Sequence, residues 1–345
     1  MGGTFEQVCY PGDSRGCAAT RSSIAIGAPV DGLTHVKAQA GPVGQSLSQR
    51  RGVPIMIGRH EGGCHDMRSI LVALDATLSS EQAQAIALAQ AVRRNARLSA
   101  VVAIELSDVE REEMMPIAGA ALAYDRLKHR DAVMAARRTR FAEIGAAFAQ
   151  RASAAGVATT VTTLEGNVRR AMLRLLEAQD LLVVGRDTEF HLEASGALTS
   201  TVELLIAQGS RPTLVTGPTA PQSGPILVAY DGSAASARAL HIATLLGLFD
   251  GEAVHVLSTM PHGEDARLAT ERACGLLDLY GIRAEPNPIT SGEDPATVVL
   301  REVAAHGARM LVMGAYGNRG WRESLFGSCT RHLLTSSPVP LFIHH

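Results

Sequence analysis

The sequence predicts an α/β protein: two tandem domains, each a five-stranded parallel sheet with helices on both faces. Three observations carry that prediction. The segment Ile70–Asp75 (ILVALD) recurs 156 positions later as Ile226–Asp231 (ILVAYD), with five of six residues identical. Each copy is apolar at nearly every position, which suits a parallel strand buried on both faces and not the alternation of a half-exposed one. After each copy, apolar runs alternate with Ala/Leu-rich helical stretches, the order of βαβ units.

The elements follow in parallel. In the first repeat a polar turn after Asp75 leads into a helix over Ser79–Arg94. Strands follow at Leu98–Ile104 and Ala158–Leu164, a helix at Val168–Ala178, then strands at Leu181–Gly185 and Pro212–Val215. The second repeat offers a helix over Ala234–Leu248 and strands at Ala253–Leu257, Ala284–Ile289, Met310–Gly314 and Pro340–Ile343. Its later helices are Pro295–His306 and Ser328–Leu334. Right-handed crossovers leave few ways to order such strands. The first repeat alone carries an acidic loop, Asp108–Glu113, and a long Arg/Ala-rich helix running to Arg151. The turn-rich Gly217–Pro225 reads as the linker, so the expected domains are 67–217 and 218–345.

Residues 1–66 are different. They hold 12 of the 33 glycines and 4 of the 15 prolines, without periodicity, and are read as a disordered tail. Met67 opens the first orderly segment and would serve as a start. His60, Cys64, His65 and Asp66 are metal-ligand types, but scattered polar residues of a tail are the plainer reading.

Composition excludes several functions. Lys+Arg is 32 against 34 Asp+Glu, which argues against a nucleic-acid partner held by a broad basic field. No apolar run reaches the length of a membrane span, and no secretory signal is visible. The five cysteines form no C-x-x-C pair, so free thiols in a reducing cytoplasm are expected and structural zinc is not. Lys37 and Lys128 are the only lysines, which leaves no phosphate loop with its lysine.

The motif that carries chemistry is Gly314-x2-Gly317-x9-Gly327-Ser328, between an apolar strand and a helix. Glycines let a backbone approach phosphate closely, and amides at a helix start face the anion with the helix dipole. Ser328 adds a hydroxyl donor, and Arg319 and Arg322 inside the loop supply positive charge. In an open parallel sheet ligands bind beyond the carboxyl ends of the strands, where Asp231 and Gly314 would both stand. A tight turn needing those glycines for its own shape is the competing reading.

These residues resemble the universal stress protein family. The second repeat is similar along its whole length: the opening Ile226–Ser233, the pair His255-Val256, and the glycine signature ending in Gly327-Ser328. The resemblance implies a Rossmann-like fold of the adenine nucleotide alpha hydrolase-like type, ATP as ligand, with or without Mg, and an adenine nucleotide as the partner. It implies that Asp231 and Val256 contact adenosine, and that Gly314, Gly317, Gly327 and Ser328 hold ribose and phosphates. Two repeats resemble the tandem subfamily, in which the domains pair within one chain as two subunits pair elsewhere; a homodimer stays open.

The first repeat departs from the pattern. It keeps Asp75 and Gly185, but Thr188 replaces the second glycine and Thr199-Ser200 the last glycine and its serine. A β-branched residue is poor at positive φ, so this repeat is expected to be a structural partner with an empty crevice. Cys329 reads as a small packing residue rather than a redox thiol, His255 as a hydrogen-bonded core histidine, and His344 and His345 as solvated.

The resulting expectation is a cytoplasmic, ATP-binding stress-response or regulatory module that is not an enzyme. Glu323 reads as part of a surface ion pair and Asp294 as the cap before Pro295, so neither is placed to orient a water. Two rivals remain: an α/β nucleotide hydrolase or adenylyl-transferring enzyme, and a dimerisation module that binds no nucleotide.

Overall fold

The computed structural model describes residues 67–104, 120–165, 168–188, 201–315 and 327–345. The tail 1–66, Arg319, Arg322, Gly317, Glu323 and Thr199-Ser200 lie outside the described residues.

The first repeat runs β1 (Ser69–Leu74), α1 (Leu78–Arg94), β2 (Arg97–Ile104), α2 (Ala120–Ala154), β3 (Thr159–Glu165), α3 (Val168–Glu177), β4 (Leu181–Gly185), α4 (Thr201–Gln208) and β5 (Thr213–Thr216). The second runs β6 (Ile226–Ala229), α5 (Ala234–Leu245), β7 (Val254–Met260), α6 (Gly263–Leu279), β8 (Ala284–Thr290), α7 (Pro295–Ala305), β9 (Met310–Gly314), α8 (Ser328–Ser336) and β10 (Leu341–His344). The asymmetry expected between the repeats lies in their second helices: α2 has 35 residues and its counterpart α6 has 17.

The strands form one sheet in the order β3-β2-β1-β4-β5-β10-β9-β6-β7-β8. Each half keeps the parallel doubly wound order 3-2-1-4-5. The halves meet at β5 and β10, the only antiparallel pair among the described strands, with Leu341 opposite Val215 and Ile343 opposite Thr213. The two five-stranded sheets are therefore one ten-stranded sheet with a two-fold-like seam.

Strand residues alternate between two apolar layers, and each layer runs across both repeats. Leu71, Ala73, Leu182, Leu227, Leu311 and Ile343 pack in one, with α3, α4, α7 and α8. Ile70, Val72, Val183, Ile226, Val312 and Phe342 pack in the other, with α1, α2, α5 and α6. Burial on both faces is why the strands read as unbroken apolar runs.

Charged side chains reinforce the pairing of the repeats. Arg93 and Arg309 share the Glu252 carboxylate at 2.6 and 2.7 Å, and Arg94 meets Asp250 at 2.6 Å. Arg331 on α8 reaches the buried Glu203 on α4 at 3.4 Å. One expectation fails here: His344 is not solvated but buried in β10. Burial, then the charges of His345, Arg238 and Arg211, push its imidazole down to about 4. No helix among the described residues is long and apolar enough to cross a membrane.

Candidate functional site

The crevice lies where strand order reverses in the second repeat, between β6 and its neighbour β9. Asp231 stands two residues beyond β6 and is exposed. Its Oδ1 accepts the Ser233 amide at 2.9 Å, a turn that hands the chain to Ser233, the N-cap of α5. The first repeat builds the same turn: Asp75 Oδ1 accepts the Thr77 amide at 2.8 Å and Thr77 caps α1. The strand-end aspartate thus has a structural task in both repeats, and at Asp231 an exposed carboxylate is left at the crevice besides.

Gly314 closes β9 hard against α5. A β-carbon on it would stand 2.3 Å from the Ser236 amide nitrogen and 2.4 Å from the Ala235 carbonyl carbon. Gly185 stands in the same relation to Ser80, at 2.6 Å. This packing accounts for Gly314 without a ligand, and it also accounts for Gly185, the one glycine of the signature that the degenerate repeat retains. The repeat comparison carried that signal in sequence.

Gly327 is different. It is exposed, has φ −60°, and a β-carbon there would meet nothing among the described residues. Neither backbone strain nor crowding by those residues demands a glycine at this position. It is the N-cap of α8 and supplies no side chain to cap it, and the first turn holds no acidic residue. Among the described residues no side chain caps the leading amides of α8, and the exposed Ser328 stands beside them.

Cys329, one residue into α8, reports what surrounds that helix start. Burial, then the carboxylates of Asp294 and Asp231, push its thiol up to about 11. Burial first, with the two carboxylates adding to it, keeps the thiol protonated at neutral pH, in keeping with a packing role. Asp294 caps α7, accepting the Thr297 amide at 3.3 Å before Pro295, as expected, and its Oδ2 also lies 3.4 Å from His332 Nδ1 on α8. Val256 is not at the crevice surface. It sits between Val228 and Pro286 with no exposed area, while Tyr230 bonds to the Leu257 carbonyl. The register therefore brings Ser258 and Thr259, not Val256, to the level of Asp231.

The sequence profile of the universal stress protein family matches residues 67–217 and again 223–345. The chain belongs to the universal stress protein family. A relative from Synechocystis, the universal stress protein Slr1230, is 26% identical over 47% of this chain and 56% of its own length. The chain thus spans little more than half of that relative. A universal stress protein from Archaeoglobus fulgidus DSM 4304 matches 80% of this chain and 97% of its own at 19% identity, with a TM-score of 0.60. Another from Archaeoglobus fulgidus, solved in complex with dAMP, is 22% identical over 35% of this chain and 97% of its own, with a TM-score of 0.28. At 19% identity the likeness to the first of these structures bears on the fold alone.

Within the family fold the first repeat's crevice has a different surface from the second's. Asp75 is 7% exposed where Asp231 is open, and Thr188 is 3% exposed. Asp75 Oδ2 and Thr188 Oγ1 are buried without hydrogen-bond partners among the described residues. Thr188 closes its turn on the Gly185 carbonyl at 3.1 Å without positive φ, which among the described non-glycine residues occurs only at Asn95.

Proposed function

We propose that this universal stress protein binds ATP, with or without Mg, in the second-repeat crevice, and that occupancy of the crevice is its regulatory output in the cytoplasm. One observation carries the reading. The exposed Asp231 follows β6, the strand beside β9; Gly327 is sterically open among the described residues and begins α8 without a side-chain cap of its own; and the Asp231 charge reaches Cys329 in the first turn of α8. Helix amides without a side-chain cap suit phosphate oxygens, and a carboxylate on the turn after the neighbouring strand suits ribose or adenine donors. A glycine that the chain's own described packing does not require leaves room for a ligand to approach the backbone. In the first repeat the equivalent aspartate is covered, so that half serves as the pairing partner.

The test is direct. Protein purified without added nucleotide is denatured and the supernatant analysed by mass spectrometry, and the nucleotide-free protein is titrated calorimetrically with ATP, ADP and AMP. Released adenine nucleotide and saturable binding of at least one of the three are expected. No released nucleotide together with no heat of binding would overturn the reading in favour of a module that works by pairing alone.

A further inference from the structure

In the first repeat, α3 and the C-terminal end of α4 border an open groove of about 480 Å³, lined by Arg169, Arg170, Leu173, Arg174, Glu177 and Gln208. The apolar stripe of α3 sets its rotation: Val168, Met172 and Leu176 are buried, which leaves Arg170 and Arg174 exposed and Arg169 half-buried. Arg169 is held in place, its Nε and Nη2 donating to Gln208 Oε1 at 3.1 and 2.6 Å. Arg211 Nη2 donates to the Glu177 carbonyl at 2.9 Å, so a fourth guanidinium stands at the end of α3. Local rules oppose this placement. Arg169 and Arg170 occupy the first turn, where the helix dipole disfavours cations, and no acidic residue accompanies them there. Arg170 and Arg174 are like charges one turn apart, which is also unfavourable. Among the described residues neither Arg169 nor Arg174 forms an ion pair with a carboxylate. The counterpart helix α7 differs: it begins Pro295-Ala296-Thr297, and its Arg301 is paired with Glu293 at 3.1 Å. Local rules broken without a packing gain point to function.

We infer that this groove binds a compact anion carrying two or more phosphate groups. Its lining sets three guanidinium groups against the carboxylate of Glu177, and a guanidinium fork takes phosphate oxygens two at a time. The three arginines fall within about 7.5 Å of helix rise, so their charge is gathered and not strung out. Acidic side chains on one face of an extended peptide stand about 6.8 Å apart, and few of them would fit the groove. Phosphates joined to one another, or carried on one ring, bring several charges into it. The half-buried Leu173 in the lining lowers the local dielectric and strengthens such pairs. The volume is that of a small-molecule site. No aromatic side chain lines the groove to stack a base, so a nucleotide is not the expected ligand. The groove belongs to the first repeat and does not depend on the ATP reading of the second-repeat crevice.

The experiment uses the full chain carrying Gly327→Val, the change expected to weaken phosphate binding in the crevice. It is titrated calorimetrically with inorganic tripolyphosphate and, separately, with phytate, whose phosphates sit on one ring, at about 0.15 M salt. Arg174→Gln alone, and Arg170→Gln with Arg174→Gln, are then added to that chain. Both side chains are exposed, and thermal melting checks that the variants fold alike. At least one probe is expected to bind, and to lose at least about tenfold in affinity in the double arginine variant, with a smaller loss for Arg174→Gln. Raising the salt should shrink these losses. The tighter probe tells whether linked or ring-borne phosphates are the source. With Gly327 intact, the double arginine variant should keep the ATP affinity of the unaltered protein, so failure of the crevice and failure of the groove are told apart. No binding of either probe, or equal affinity with and without the arginines, would overturn the inference. So would tighter binding of a hexaglutamate peptide than of both phosphate probes.

Discussion

The amide nitrogen of Ser236 lies 2.3 Å from where a β-carbon on Gly314 would stand. Helix α5 is seated on the end of β9 so closely that only hydrogen fits, and α1 is seated on Gly185 in the same way, 2.6 Å from the Ser80 amide. Backbone on both sides leaves no side chain that can give way. Gly314→Ala and Gly185→Ala are therefore expected to destabilise the fold by about 1–3 kcal/mol each, the range of overpacked cores. Urea unfolding of nucleotide-free protein measures this, and an unchanged midpoint in either variant would contradict it.

Gly327→Val makes the complementary case. The position is exposed and unstrained, so stability should change by no more than about 0.5 kcal/mol. The valine would occupy the approach to the α8 amides, and ATP affinity should fall at least about tenfold, or 1.4 kcal/mol. Calorimetry on a variant with an unaltered melt separates binding from folding, which Gly314 variants cannot do.

Stoichiometry follows from the difference between the two aspartates. Asp75 is covered and Asp231 is open, so titration should give one nucleotide per chain. Two equivalent sites would show that the first crevice opens on binding.

Glu252 predicts an acid-sensitive seam. Burial acts to raise its carboxyl, but hydrogen bonds from Arg93 and Arg309 and the charges of both outweigh it, so the group sits below the usual glutamate range. A folded pKa below the unfolded one means that the unfolded chain binds more protons in between. The contribution is complete above the unfolded value of about 4.3 and is lost as pH falls through the lower folded value. Glu252→Gln should cost about 1–3 kcal/mol at neutral pH and should show a shallower loss of stability than the unaltered protein on acidification. Parallel slopes for the two would place the acid sensitivity elsewhere.

Turnover is the remaining question. Phosphoryl transfer is catalysed by positioning and by positive charge on the transferring and leaving oxygens. The second repeat has no lysine. Asp294, whose charge reaches Cys329 as that of Asp231 does, is engaged with the Thr297 amide and faces His332. ATP hydrolysis far below about 1 s⁻¹, the low end of ordinary enzyme rates, is the expected result in a coupled phosphate-release assay. Multiple turnover near that rate that disappears in Gly327→Val would make this an enzyme.

What the amino-acid sequence determined by itself is local. Both-face burial turns each central strand into an apolar run, an aspartate before a proline marks a helix start, and a duplicated domain repeats its strands, so the strands, the cap at Asp294 and the family were readable residue by residue. Tertiary structure decided whatever depends on neighbours distant in the chain. The antiparallel seam of β5 and β10 pairs Val215 with Leu341, and an edge pairing leaves no periodicity in either strand. Val256 was read as a ligand contact from its place in a dipeptide, but strand register carries it below the crevice into the core. The glycines of one signature were separated by packing alone: Gly314 answers to α5, and Gly327 meets none of the described residues. The hexapeptides ending in Asp75 and Asp231 are nearly identical, yet one carboxylate is covered and the other is open, a difference that the strand residues themselves do not contain, because exposure depends on the surrounding fold.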